Sequence, residues 1–404
     1  MSKTALINAV KDVSAEVDAT QADKQFTETS QQSIKKVADH AKQSPERQKK
    51  FAEAAGVLGG VLSGKLPSYK LQEAMTTSDF PILFGDVMDR LLLAGYRSAP
   101  STFQMYTRTT TVRDFRPVQR KYVDGADGLL DQVEEQAEYP ADSVDEGAYS
   151  YRVHKYGKVL PFSWETFIND DLDAFADMPQ RLGRGASRSE ENFVTRLYVG
   201  ANGLNTNFFN SSNGNIVEGN PVLNMDGLLK AYLQMSNQRD PHSDMPILNS
   251  PTYLVVPPEL EIIARQLVNA TEIRMQQGDS TIISSNYMNQ LQIVVNRFIP
   301  IVTGGSASPW FLFADPNEGR GALEFGRLRG HEEPEIFVKT PNAQRAGGGD
   351  VGYMQGDFAT DSITYKIRHV FGGTQLDRLF VVGSDSSGGT AGTSGVATTG
   401  KAKK

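Results

Sequence analysis

The stretch from Ala148 to Gly200 decides how this chain folds: AYSYRVHKYGKVLPFSWETFINDDLDAFADMPQRLGRGASRSEENFVTRLYVG. Its second half predicts a helix from Met178 to about Gly200, because apolar residues recur there at intervals of three and four along one face. Those apolar residues are Leu182, Ala186, Phe193 and Leu197. At ~1.5 Å per residue the helix would be about 30 Å long, so we expect it to span a whole domain.

Three residue types refine this helix. We expect Pro179 in the first turn, where a missing N–H costs nothing. Gly183 and Gly185 are each unfavourable in a helix by about 1 kcal/mol, which predicts close packing of another backbone or a local bend. The opposite face is basic, and it is either an interaction surface or an ordinary solvated face. Its residues are Arg181, Arg184, Arg188 and Arg196.

A long β-hairpin precedes the helix. Alternating residues predict strands at Arg113–Val123 and Ala148–Trp164. In the second strand the apolar residues move from odd to even positions, which predicts a bulge or strong twist at Gly157. Residues 124–147, between the strands, contain nine acids and no base. Since an isolated two-stranded ribbon is marginally stable in water, we expect the hairpin to lie over another copy of the chain.

Composition limits the possible classes of protein. The chain has 404 residues and 39% hydrophobic content, enough for more than one domain or a single elaborate one. Its net charge of -7 argues against a dedicated nucleic-acid binder. The absence of cysteine excludes disulfides, iron–sulfur clusters and Cys-zinc sites. Because no apolar run approaches about 20 residues and the start has no signal-peptide core, we expect a soluble protein.

The remaining chain predicts a weakly structured start and an α/β body. Residues 1–75 have only thin hydrophobic stripes, so independent folding is not expected. A helix follows from Thr77 to Gly95, with Ser78 or Asp79 as its cap and Pro81 in its first turn. After a loop at 202–220, we expect helices at Met225–Ser236 and Pro257–Val268. The expected strands are Tyr253–Val256, Leu291–Asn296, Trp310–Ala314, Ala322–Phe325, Glu335–Lys339, Ser362–Phe371 and Arg378–Val382.

Motifs for catalysis, cofactors or metals do not emerge from the sequence. His331 lies near Glu332, Glu333 and Glu335, but Pro334 interrupts the group. The spacing of Gly347, Gly349 and Gly352 matches a dinucleotide-binding pattern, yet no predicted strand precedes it and no helix follows. We therefore expect no catalytic residue, no cofactor and no metal ligand, and the sequence predicts a protein that is not an enzyme.

Five short segments carry a family resemblance. They are TSDFP at 77–81, KVLPFSWE at 158–165, NDD at 169–171, YLVVP at 253–257 and RLFVV at 378–382. In this order, around a long hairpin and a long helix, they resemble a tailed-bacteriophage major capsid protein over about residues 77–384. More narrowly, the chain is similar to the branch of the Mu-like major head subunit.

The resemblance implies an α+β fold of the Hong Kong 97 type. The implied parts before the domains are an N-terminal helical scaffold-like segment at 1–75, an N-arm at 76–110 and the extended E-loop at 111–165. A peripheral (P) domain would comprise 166–201 and 322–371, with the long helix as its spine. An axial (A) domain would comprise 202–321 and 372–384, and a flexible tail would follow at 385–404.

The implied function is that of a major capsid protein. Copies would self-assemble into hexamers and pentamers of an icosahedral shell that encloses double-stranded DNA, contacting the DNA non-specifically at most. The implied location is the virion, with assembly in the host cytoplasm and without a membrane, and a portal, scaffold or decoration protein could be a partner. Two alternatives remain: another virion structural protein of the tail or decoration type, and a head-maturation hydrolase.

Contacts between copies are the candidate functional site. We expect the acidic hairpin tip to face bases on the long helix of a neighbour, while apolar burial by the hairpin supplies most of the affinity. The candidate residues are Asp131, Glu134, Glu135, Tyr149, Tyr151, Val153, Arg181, Arg184 and Arg188.

Overall fold

The computed structural model describes residues 80–388 except for 125–131, 134, 137–144, 164, 166–171, 242–243, 248, 271, 278–279, 286–287, 318, 340–341, 343–345 and 348–355. Several predictions fall outside the described residues. They concern the segment 1–75, the helix caps Ser78 and Asp79, the acids Asp131 and Glu134, and most of the C-terminal tail.

Helices and strands are mixed along the described chain, which confirms the predicted α+β class. The described helices are α1 (Phe80–Ser98), α2 (Leu172–Tyr198), α3 (Met225–Ser236), α4 (Glu261–Asn269) and α5 (Ile299–Thr303). The described strands are β1 (Arg108–Val112), β2 (Val118–Asp124), β3 (Asp145–Tyr151), β4 (His154–Ser163), β5 (Val199–Gly200), β6 (Gly203–Leu204), β7 (Pro251–Val256), β8 (Glu272–Gln277), β9 (Ser280–Ser285), β10 (Gln292–Val295), β11 (Trp310–Ala314), β12 (Leu323–Leu328), β13 (Glu335–Val338), β14 (Ser362–Gln375) and β15 (Val381–Ser384). In the described part of the chain, no helix is long and apolar enough to cross a membrane.

The chain divides into two compact units. The larger unit comprises Met88–Pro161, Asp177–Lys339 and Thr364–Lys404. The smaller unit comprises Met1–Val87, Phe162–Ala176 and Thr340–Ile363. Within the smaller unit, Asp357 Oδ1 accepts hydrogen bonds from the backbone N–H of Thr360 at 3.0 Å and from its hydroxyl at 2.9 Å, which fixes a tight turn.

A five-stranded sheet in the larger unit supports the long helix. Its order is β1-β12-β14-β13, and β4 also pairs with β14. Strand β1 runs parallel to β12, whereas β12 and β13 run antiparallel to β14. Aromatic rings join the sheet to α2, since the ring centroid of Phe193 lies 5.5 Å from that of Phe371 and 6.4 Å from that of Phe325. Tyr156 stacks on Phe371 at 4.1 Å, so β4 closes the same aromatic cluster.

A four-stranded sheet of order β10-β7-β11-β15 contains the main core. Strand β11 reads WFLFA, and all five of its residues are buried. A continuous apolar run of this kind suits a strand that is covered on both faces. Trp310, Phe311 and Phe313 are fully buried, so this strand is the centre of the largest hydrophobic cluster.

Two glycines bring helices α1 and α2 into backbone contact. A Cβ atom added to Gly183 would lie 2.0 Å from the carbonyl oxygen of Leu92, and one added to Gly95 would lie 2.2 Å from that of Gln180. The predicted close approach is therefore confirmed at Gly183. Around Gly185 there is open space, so that glycine does not serve this contact.

The predicted hairpin is wrong in its strand boundaries. The strand predicted over 148–164 is two strands, because β3 pairs with β2 whereas β4 pairs with β14. The break falls at Arg152 and Val153, where Val153 enters the core, and not at Gly157. The strand predicted from Arg113 is also divided, since β1 ends at Val112 and β2 begins at Val118.

Other boundaries differ for identifiable reasons. Helix α2 begins at Leu172, so Pro179 lies inside the helix and the predicted first-turn position is wrong. Helix α1 continues beyond Gly95 to Ser98, because Gly95 serves the contact with α2 and does not end the helix. Strands β5, β6, β8 and β9 and helix α5 were not predicted from the sequence, whereas the predicted bounds of α3 and β11 are correct.

We expect Gly183→Ala to destabilise the unassembled subunit by about 1–3 kcal/mol, because the added methyl group overlaps the backbone of α1. The matched control is Gly185→Ala in the same helix, which should be neutral or stabilising by up to about 1 kcal/mol. Urea unfolding followed by circular dichroism measures both. Equal effects of the two substitutions would contradict the glycine contact.

Candidate functional site

The ribbon of β2 and β3 is the feature closest to the predicted site. Its register runs from Val118 opposite Tyr151 at the foot to Asp124 opposite Asp145 at the far end. Among the described strands, β2 and β3 pair only with each other. The described residues beyond the far end include Glu135, which is exposed.

The foot of the ribbon is buried within its own subunit. Tyr151 is 6% exposed and Val153 is 2% exposed, and they form a cluster with other buried residues. Those residues are Val112, Leu328 and Val370. Tyr151 and Val153 were expected to contribute apolar area to a neighbour, but both are buried among residues of their own subunit, which leaves little of that area for another copy.

One buried carboxylate fastens the ribbon to the sheet. The Glu324 side chain is 1% exposed, and it accepts hydrogen bonds from Arg120 Nε at 2.9 Å and from the Tyr151 hydroxyl at 2.5 Å. The hydroxyl of Thr110 in β1 also donates to it, at 3.0 Å. Burial, together with the hydrogen bond to Glu324, raises the pKa of Tyr151 to about 12. Glu324 thus joins β1, β2, β3 and β12 at one point.

The middle of the ribbon carries an aromatic pair. Tyr122 and Tyr149 stack with ring centroids 4.6 Å apart, and the Arg320 guanidinium lies 4.8 Å from the centroid of the Tyr122 ring. Burial raises the pKa of Tyr149 above its ordinary range, and the nearby Asp377 carboxylate acts in the same direction. Tyr149 is half-buried, so part of its surface remains accessible.

The basic face of α2 lies at the surface, as the helical spacing predicts. Arg181 and Arg188 are exposed, and Arg184 is partly exposed. These three arginines follow each other at intervals of three and four residues, so they form a single stripe along the helix. Arg181, Arg184 and Arg188 therefore lie next to each other on one face of α2. The tip acids Asp131 and Glu134 lie outside the described residues.

A second buried carboxylate holds the opposite face of α2. Glu190 is 1% exposed, and it accepts hydrogen bonds from Arg327 Nε at 3.0 Å and from the Tyr96 hydroxyl at 2.9 Å. A third hydrogen bond, 2.8 Å long, joins it to His369 Nε2. Burial opposes ionisation, but the hydrogen bonds from His369 and Arg327 outweigh it and lower the pKa of Glu190. Glu190 therefore joins α1, α2, β12 and β14 as a charged group.

Neither Glu324 nor Glu190 was among the residues predicted from the sequence to be important. A partial signal was present for Glu324, because an acid that interrupts the apolar run LEF of a buried strand needs a partner. Glu190 gave no such signal, since it lies in a polar run of α2 where exposure is the ordinary expectation. Among the described residues, no group of His, Asp and Glu side chains could hold a metal ion.

Comparisons with known proteins give one family model and several similar solved structures. A family model described as "Phage capsid protein" matches residues 147–383, more than half of the chain. No curated protein matches the chain. Similar solved structures include those of Gordonia phage Cozz (15% identity, 70% of this chain and 85% of that chain covered, TM-score 0.43) and Mycobacterium phage Adephagia (12% identity, 71% and 90% covered, TM-score 0.43). A virus-like particle from Pyrococcus furiosus is also similar, at 11% identity, 74% and 99% coverage and a TM-score of 0.39.

We expect Tyr151→Phe to destabilise the unassembled subunit by about 1.5–3 kcal/mol, because the Glu324 carboxylate loses a buried hydrogen-bond donor. The control is Tyr253→Phe, since the Tyr253 hydroxyl has no hydrogen-bond partner among the described residues. Urea unfolding of both variants and of the parent protein measures the difference. A Tyr151→Phe subunit as stable as the control would contradict the role of Glu324.

The lowered pKa of Glu190 predicts an acid-sensitive subunit. A carboxylate whose pKa falls on folding stabilises the fold above its unfolded pKa, near 4.5, and this stabilisation disappears as the pH falls through the folded pKa. Urea midpoints measured from pH 7 to pH 3 should therefore decline more gradually for Glu190→Gln, which should also be less stable at pH 7. The exposed control Glu218→Gln should follow the parent curve, and a Glu190→Gln curve parallel to the parent curve would refute the prediction.

Proposed function

The chain belongs to the phage capsid protein family, and we propose that the ribbon of β2 and β3 is the arm that links its copies. The protein is a structural protein of the virion capsid and not an enzyme, and many copies of it form the shell. We propose hexamers and pentamers in an icosahedral head, because one head-to-tail contact that flexes slightly can close rings of either size.

The proposed fold type is that of Hong Kong 97, with membership of the Mu-like branch as a narrower proposal. Two features support the division into domains proposed from the sequence. The five-stranded sheet and α2 share one aromatic cluster, as a P domain with a spine helix requires. The four-stranded sheet takes its strands from Pro251–Ala314 and Val381–Ser384, the ranges assigned to the A domain. The proposed N-arm, residues 76–110, includes α1.

The pairing and anchoring of the ribbon are the observations that support its proposed role as an arm. Its strands pair with no other described strand, and a two-stranded ribbon is marginal in water when it stands alone. Its foot is fixed by Glu324 and by the cluster around Tyr151, so the far end can project from a firm base. An anchored foot and an acidic far end are both consistent with a contact between copies.

The proposed contact places the acidic tip of one copy against the basic stripe of α2 in the next. The acids are Asp131, Glu134 and Glu135, and the bases are Arg181, Arg184 and Arg188. Each exposed ion pair contributes at most about 1 kcal/mol, so the charges set register more than strength. Apolar burial must supply the remainder, and Tyr149 is the half-buried candidate on the ribbon.

Further partners follow from the proposed shell. It would enclose double-stranded DNA, assemble in the host cytoplasm, and meet a portal, scaffold or decoration protein. A net charge of -7 favours weak and non-specific contact with DNA.

Charge reversal tests the proposed contact. Replacing Asp131, Glu134 and Glu135 by Lys should raise the protein concentration required for shell assembly at least tenfold, because about three ion pairs become repulsive. Negative-stain microscopy and sedimentation measure assembly, and circular dichroism checks that the subunit remains folded. The control is Glu218→Lys, an exposed acid in the loop before α3.

A second set of substitutions tests the pairing itself. Arg181→Glu, Arg184→Glu and Arg188→Glu should impair assembly alone and restore it when combined with the reversed tip. Shells that form normally from the reversed tip, or a combined variant that is no better than either parent, would exclude this pairing.

A further inference from the structure

The turn between β1 and β2 presents an exposed aromatic ring between two arginines. It comprises residues 113–117, Arg-Asp-Phe-Arg-Pro. Phe115 is 47% exposed, although an aromatic side chain gains free energy when it is buried. Asp114 Oδ1 accepts a hydrogen bond from the backbone N–H of Arg116 at 2.9 Å, which fixes the backbone of the turn. The ring is thus held at the surface by an ordered turn.

A third arginine lies beside this turn. The backbone N–H of Arg329 donates to the carbonyl oxygen of Val112 at 2.8 Å, so Arg113 and Arg329 leave the ends of two parallel strands side by side. Both are exposed. Asp114 is the single acid of the turn, and its Oδ2 lies 3.9 Å from Arg116 Nε. We name the set Arg113, Phe115, Arg116 and Arg329 the arginine–phenylalanine turn.

The composition of this surface is typical of a contact between proteins. Arginine and aromatic residues are enriched in the centres of interfaces and provide most of the binding energy there. Lysine-rich surfaces, in contrast, usually remain solvated. An Arg-Phe-Arg surface therefore fits a partner that carries both carboxylates and apolar side chains.

The chain itself contains such a partner. Residues 108–121 and 152–158, which comprise β1, the turn, the first half of β2 and the start of β4, contain eight bases and one acid, whereas residues 124–147 contain nine acids and no base. The acids of that segment alternate with apolar residues, which are Leu129, Leu130, Val133 and Tyr139. Carboxylates and apolar side chains therefore occur together in the acidic segment.

The two ends of one ribbon are too far apart to neutralise each other. Seven residues per strand, at ~3.3 Å each, separate foot and far end by about 20 Å. That distance exceeds the Debye length of about 8 Å at physiological salt, so attraction between the ends of one ribbon is screened. Opposite charges attract more strongly when the acidic end of one copy lies within a Debye length of the basic foot of another.

We propose that the arginine–phenylalanine turn binds the acidic segment 125–144 of a second copy of this chain, with Phe115 contacting its apolar residues. This proposal rests on the proposed linkage of copies by the ribbon and adds a second receiving surface to the basic stripe of α2. Because Asp124 and Asp145 are paired, both ends of this segment start from the far end of the ribbon, and its 20 residues reach at most about 30 Å from that end.

Crosslinking between copies tests the proposal, and the chain contains no cysteine that would interfere. Assembly mixtures combine subunits that carry Glu135→Cys with subunits that carry Arg116→Cys, and a short bis-maleimide reagent joins them. We expect at least tenfold more crosslinked dimer than with Lys230→Cys, the matched control at an exposed base of α3. A third mixture with Arg188→Cys reports on the stripe of α2.

The outcomes separate this proposal from the proposed function. Crosslinking of Arg116→Cys above the control supports the turn as a receiving surface. Crosslinking of Arg188→Cys alone overturns it and leaves the contact with α2 intact. Shells without crosslinking at either position overturn both contacts.

Phe115→Ser provides a second measurement that does not depend on crosslinking geometry. It should raise the concentration required for assembly at least tenfold while circular dichroism shows a folded subunit. The control is Phe358→Ser, which removes another exposed phenylalanine. Normal assembly of Phe115→Ser overturns the proposal, as does a normal shell that has lost only its bound nucleic acid, since that result would assign the turn to nucleic acid.

Discussion

The buried charges of strand β12 are the constraint on which the rest of this structure depends. Glu324 projects from one face of the strand to the foot of the ribbon, and Arg327 projects from the other face to Glu190 on α2. Successive side chains of a strand point to opposite faces, so one buried strand holds the ribbon and the long helix at once. The ribbon and α2 are therefore both positioned by their contacts with β12.

Buried ions of this kind determine geometry more than they add stability. Removing two charges from water costs several kcal/mol per ion, and the hydrogen bonds of the pair offset that cost only when every donor and acceptor is well placed. At Glu324 the partners are Arg120, Tyr151 and Thr110, which belong to three different strands. These three contacts fix the foot of the ribbon relative to the sheet.

Close backbone contacts add a second limit on the same geometry. Gly183 and Gly95 let α1 and α2 approach until no side chain fits between them. Gly326 of β12 lies under Tyr151, whose hydroxyl would be 2.7 Å from an added Cβ atom. A side chain larger than hydrogen at Gly95, Gly183 or Gly326 would therefore overlap a neighbouring group, so these contacts require glycine.

The sequence by itself determined the long helix, its basic stripe, the buried strand β11, the acidic segment and the resemblance to phage capsid proteins, because periodicity, charge and local motifs are properties of neighbouring residues. Only the tertiary structure decided that Tyr151 and Val153 face their own core, that the strand predicted over 148–164 serves two sheets, and that Pro179 lies within a helix. It also decided that Glu190 and Glu324 are buried. These features depend on partners distant in sequence: Glu324 meets Arg120 across 204 positions and Glu190 meets His369 across 179, and no local pattern encodes which distant residue completes a buried charge.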